Sequence, residues 1–173
     1  MNRNVIHIIR FVALVLLQVL VVNHIRLGGY VHPYVYMVFI LLLPINIPNW
    51  QLLLLGFGLG LCVDLFTGTP GLHAGATTLM AFCRPAILRL VSGHQKLENV
   101  VEPNLGQLGG VWFLRYTFSM VLVHHFALFF LESFSFRLIL QVLLRILISV
   151  PVSVFLIIVI LYLFQREKKQ ETR

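Results

Sequence analysis

The chain has 173 residues, of which 59% are hydrophobic and 11% charged, and its mean hydropathy is +0.93. A soluble domain carries about 25% charged residues, so this composition excludes an ordinary water-soluble fold and points to one integral membrane domain over residues 1–173. The net charge of +7 comes from 13 Lys and Arg against 6 Asp and Glu; the basic residues sit mostly at the ends of apolar runs, where they orient a membrane protein and carry no nucleic-acid signature.

Residues 5–27 read as the first span, with Arg10 near its start placed to snorkel to the interface. No small-residue cleavage site follows, so the run is read as retained. Arg3 and Arg10 suggest a cytoplasmic N-terminus. Arg26, Gly28, Gly29 and Pro33 make a turn, and Tyr30, Tyr34 and Tyr36 match an interfacial aromatic belt. A second span is expected over 34–47 and a third over 51–66. Together they offer roughly 50 Å of helix where two full spans want about 60 Å, so they are two short spans or one broken helix. Pro44 and Pro48, with Asn46 and Asn49 beside them, break a helix thoroughly and favour six spans over five.

The third span leads into GFGLGLCVDLFTGTPGLHAG, Gly56 to Gly75. Gly56, Gly60 and Asp64 are four residues apart and share one helix face, where glycines let another backbone come close. A carboxylate in an apolar span needs protein or water beside it. Asp64 is therefore either part of a recognition face or the cap of the turn or next helix. Thr67 to Gly71, with Gly68 and Pro70, reads as a tight turn. Gly71 and Gly75 repeat the four-residue spacing on the returning helix, so the stretch describes a hairpin with small residues along both arms, suited to packing or to a partner.

The fourth span covers about 72–90, with Arg84-Pro85 near its inner end. Residues 91–111 are the longest polar segment; Leu97, Val100, Val101, Leu105 and Leu108 form a weak stripe broken by Pro103, which reads as a loop on the membrane surface or a docking site for a cytosolic partner. The fifth and sixth spans cover about 112–131 and 138–164, and 165–173 is a charged tail. With six spans, Arg3, Arg84, Arg89, Lys96, Arg166, Lys168, Lys169 and Arg173 are cytoplasmic, against Arg26 and Arg137 outside. The C-terminus lies inside in either span count.

Arg115, His124 and Arg145 are the intramembrane polar candidates. Hairpin symmetry puts Arg145 at the depth of His124, which suggests a contact that glues the last two spans. Adjacent His124 and His125 diverge by about 100° on a helix and do not suit a metal. Cys62 and Cys83 differ in depth by about 10 Å, beyond disulfide reach. No nucleophile, base and acid combine convincingly, and no phosphate-binding G-x-x-x-x-G-K-[ST] is present. Nothing here points to an enzyme, a cofactor or a metal.

The Gly-rich third span, Asp64, the turn glycines and the returning small-residue helix, in a six-span protein of this size with a basic tail, resemble the MreD family of rod shape-determining membrane proteins. The correspondence centres on Gly60 to Gly75, GLCVDLFTGTPGLHAG, against a family pattern of Gly-Leu-x-x-Asp, a Gly-containing turn and a further Gly. The resemblance implies an all-α helix bundle of about six transmembrane helices, similar to the substrate-binding subunits of energy-coupling-factor vitamin transporters. It also implies a non-catalytic subunit of the bacterial cell-wall elongation complex in the inner membrane, working with membrane-anchored MreC, MreB filaments, peptidoglycan synthases and membrane lipid. A vitamin-binding transporter subunit is the alternative, but the first span has a lone Ala13 where those subunits carry an Ala-x-x-x-Ala docking motif.

Overall fold

A computed structural model describes residues 3–25, 32–93, 97, 100–134 and 138–170, the side chains of 3–4 and 163–170 excepted. The expected turn residues Arg26, Gly28, Gly29 and Tyr30, together with Lys96, Arg137 and Arg173, lie outside the described residues. The helices are α1 (Arg3–Leu20), α2 (Val38–Leu41), α3 (Asn49–Thr67), α4 (Leu72–Ser92), α5 (Leu105–Leu108), α6 (Gly110–Ser133) and α7 (Ile139–Gln170), with a short 3-10 turn at Val22–His24. Among the described residues five helical stretches are long and apolar enough to cross a membrane: Val5–His24, α3, α4, α6 and a stretch of α7, Ile139–Tyr162.

Packing runs in series, α3 on α4, α4 on α6 and α6 on α7. α1 is the most peripheral of the five. Its Ile8, Val12, Leu16 and Leu20, each a turn apart, are all exposed, as a lipid-facing stripe requires, while Leu14, Val15 and Gln18 are buried.

The second span departs from expectation. Over 34–47 only Val38–Leu41 is helical, a single turn. Pro33, Pro44 and Pro48 each disfavour helix at the residue before them. Irregular backbone at membrane depth is tolerated only inside protein or against a water-filled cavity, and no residue from Val35 to Leu41 is more than 2% exposed. This segment lies beside α1 and runs opposite to it, since Gln18 bonds Pro33 and Val35 and Arg10 bonds Leu42. α3 then starts near the N-terminal part of α1 and ends near its C-terminal part. Pro48, Gln51 and Leu55 share one cleft with His7, Ile8 and Phe11, whereas Phe66 and Thr67 share another with Val19, Leu20 and Val22. α1 and α3 are therefore parallel.

The described part of the polar segment after α4 contacts the bundle through Val101 and Glu102. Asn104 caps the one-turn α5 by accepting from the Gln107 amide at 2.8 Å. Ile45 N–H donates to the Val101 carbonyl at 2.9 Å, and Glu102 lies 3.5 Å from Arg10 and 3.6 Å from His7.

Candidate functional site

The hairpin is built by three kinds of residue. Gly56 and Gly60 lie against α4. A Cβ on Gly56 would sit 2.9 Å from Ala81 Cβ and 3.0 Å from the Thr77 carbonyl oxygen, and one on Gly60 would collide with His73 O, Thr77 Oγ1 and Ala74 Cα. The complementary small face on α4 is thus Ala74, Thr77 and Ala81. Gly71 and Gly75 are not part of it. Gly71 is the residue before α4 and has a left-handed φ of 86°, as does Gly68 with φ 69° at the end of α3; both serve the turn. Gly75 faces α6, where an added Cβ would meet Leu131 at 3.1 Å.

Asp64 takes the cap role. One carboxylate oxygen accepts from the Thr69 hydroxyl at 2.9 Å and the His73 amide at 3.0 Å; the other accepts from the amides of Gly71 at 3.1 Å and Ala74 at 2.9 Å. Gly71, His73 and Ala74 are among the amide donors that the first turn of α4 leaves without a helical acceptor. A negative charge there also complements the helix dipole. The acid of one helix thereby closes the start of the next.

A second set of polar side chains completes the backbone of the threaded segment 32–45. Gln18 Oε1 accepts from the Val35 amide at 2.7 Å, and its Nε2 donates to the Pro33 carbonyl at 3.2 Å. From α7, Ser149 and Ser153 accept from the amides of His32 at 3.2 Å and Tyr34 at 3.1 Å. At the far end Arg84 donates to the carbonyls of Leu43 and Pro44 and, through Nε, to the Tyr116 hydroxyl at 2.8 Å. Tyr116 in turn donates to the Leu41 carbonyl at 3.2 Å. Arg84 is 1% exposed, so it belongs to the interior and does not count as a cytoplasmic flanking charge. Gln18, Tyr116, Ser149 and Ser153 are absent from the sequence reading; Gln18 stands alone in an apolar run, and Ser149 and Ser153 are one turn apart on a single helix face, whereas Tyr116, between Arg115 and Thr117, carries no such signal.

A buried aromatic and imidazole cluster sits between these two regions. Tyr36 Oη lies 2.9 Å from His73 Nδ1 and 2.7 Å from His124 Nε2. His125 shares Ser153 at 3.1 Å, and the Tyr34 ring packs against His73, His124 and His125 with centroids 5.2, 5.8 and 5.4 Å away. His124 therefore bonds Tyr36 and not Arg145. Arg145 pairs with Glu132 at 2.9 Å and lies 4.3 Å from the Phe129 ring centroid, because Glu132 near the end of α6 offers a charge that an imidazole does not. Arg115 is exposed. Among the described residues no three His, Cys, Asp or Glu side chains converge as a metal site, and Cys62 and Cys83 are free thiols.

The chain matches no protein-family model, and neither the curated proteins nor the solved structures contain a significant match to it.

Proposed function

We propose that this chain is a non-catalytic membrane subunit of the bacterial cell-wall elongation complex, resident in the inner membrane and bound to membrane-anchored MreC, with MreB filaments and peptidoglycan synthases as further partners. In this reading it crosses the bilayer six times, the threaded segment being the second crossing, and keeps both termini in the cytoplasm in a bundle similar to vitamin-transporter binding subunits. The observation that carries the reading is the Gly60–Gly75 hairpin. Its resemblance to the MreD pattern falls on residues with separate physical tasks: Gly60 for backbone approach, Asp64 for closing α4, and Gly68 and Gly71 for the turn. The four bonds of Asp64 all stay inside the hairpin. The partner surface is accordingly assigned to the exposed apolar faces, which include Leu65 and Phe66 beside the turn.

The test is recovery of partners with the tagged full chain, solubilised gently from its own membranes, alongside cell shape after depletion. Co-purification of MreC and rounding of depleted cells are expected. Recovery of an ATPase-coupled membrane subunit together with a bound vitamin, in cells that keep their shape, overturns the assignment in favour of transport.

A further inference from the structure

At the end of the bundle that holds the α3–α4 turn lies a cavity of about 460 Å³, within the usual range for small-ligand sites. Its lining includes Asn23, His24, His32, Tyr34, Phe66 and His73, so three imidazoles contribute to it, and among the described residues no Lys, Arg, Asp or Glu does. His73 is 4% exposed. Its Nδ1 is engaged by Tyr36, which leaves Nε2, without a protein partner among the described residues, as the nitrogen that faces the cavity.

The hydrogen-bond network determines which atom of His73 carries the proton. The Tyr36 hydroxyl has one hydrogen and two ring-nitrogen neighbours, so one imidazole donates to it and the other accepts from it. The Nδ1 atom of His124 is buried without a partner. Orphaned buried donors are rarer than under-satisfied acceptors, so the bare lone pair belongs at His124 Nδ1 and the hydrogen at Nε2. That hydrogen is donated to Tyr36 Oη, the Tyr36 hydrogen goes to His73 Nδ1, and the His73 proton resides on Nε2. Two neutral rings satisfy this chain; a protonated one would bring a buried cation that no carboxylate contacts.

A second donor follows from the same kind of reasoning. Gln18 Oε1 receives the Val35 amide and Gln18 Nε2 donates to the Pro33 carbonyl, which fixes the orientation of that amide. The Asn23 atom 2.7 Å from Gln18 Nε2 is then its oxygen, and the Asn23 NH₂ group is left for the cavity.

We propose that this cavity binds an uncharged oxygen acceptor, an amide or ester carbonyl with neighbouring hydroxyls, held by His73 Nε2–H and the Asn23 amide and packed on Tyr34 and Phe66. The chemistry is shared by a glyceride at the membrane interface and by a free hydroxylated amide. The site does not depend on membership of a wall-synthesis complex, and its test contains no partner protein.

The full chain in nanodiscs, with isotope-labelled histidine and threonine, is titrated with monooctanoylglycerol for the lipid source and N-acetylglucosamine for the free source. The ring nitrogens of His73 are followed by NMR. The expected result is a proton on Nε2 and a saturable shift with at least one probe, which also identifies the source. Tyr36→Phe releases the tautomer and is expected to weaken binding about fivefold. His73→Gln, whose amide donates whatever Tyr36 does, is expected to keep saturable binding in the Tyr36→Phe background, read at the Thr69 amide. A proton on Nδ1 of wild-type His73, or no saturable shift with either probe, overturns the proposal, and both readings stand even if Tyr36→Phe does not fold.

Discussion

The α3–α4 hairpin and the threaded segment 32–45 solve the same problem in opposite ways. In the hairpin nearly every backbone group is satisfied within its own helix, so side chains are needed only at the turn, and Gly56 and Gly60 let the two backbones meet directly. The threaded segment has one helical turn, and its amides and carbonyls are completed by side chains from α1, α4, α6 and α7. A helix is complete alone and needs neighbours only for packing, whereas an irregular chain in a low-dielectric interior is complete only as part of the whole.

Gly60 offers the sharpest way to break the hairpin. Gly60→Ala places a methyl group against α4 backbone and is expected to cost about 3 kcal/mol. Gly58, with open space around it, is expected to accept alanine with a change of at most about 1 kcal/mol, in the stabilising direction. Equal unfolding midpoints for the two variants in detergent would remove Gly60 from the interface. Asp64→Leu comes next, at about 2–3 kcal/mol, because four donors lose their acceptor; Asp64→Asn is expected to lose about half as much. Reduced accumulation in the membrane checks this, and normal accumulation of Asp64→Leu would contradict the cap.

Two substitutions probe the other region. Arg84→Leu leaves the Tyr116 hydroxyl and two carbonyls without their donor and is expected to cost about 2 kcal/mol. Unfolding that leaves α3–α4 contacts intact while exposing 32–45 to protease would show that the damage is local to the threaded segment. Gln18→Leu is the mildest, about 1 kcal/mol. Its distinguishing readout is faster hydrogen exchange at the Val35 and Tyr36 amides, with Asp64-bonded amides at His73 and Ala74 unchanged.

The five long helices and the Gly56–Gly60–Asp64 face were legible because their information is local: apolar length for the first, four-residue spacing for the second. The choice between cap and recognition for Asp64 needed the distances to the His73 and Ala74 amides. A helix over 34–47 is not what the chain forms there, because an apolar run of 14 residues bounded by prolines has the same composition whether it is helical outside or threaded inside. The clue lay elsewhere in the chain, in Gln18, Arg84, Ser149 and Ser153, whose polarity has no local explanation. The depth match of Arg145 with His124 points to a contact joining the last two spans, and Arg145 does join them, through Glu132, because depth alone ignores rotation about the helix axis.

The threaded segment also imposes an order on biogenesis. Residues 32–45 leave the ribosome before any of α4, α6 and α7, yet Arg84, Tyr116, Ser149 and Ser153 are what complete their backbone in the protein interior. This stretch must therefore wait, outside its final place, until the last helix has been made. Nascent chains arrested before Ile139 should leave it open to protease, and release of the finished chain should close it.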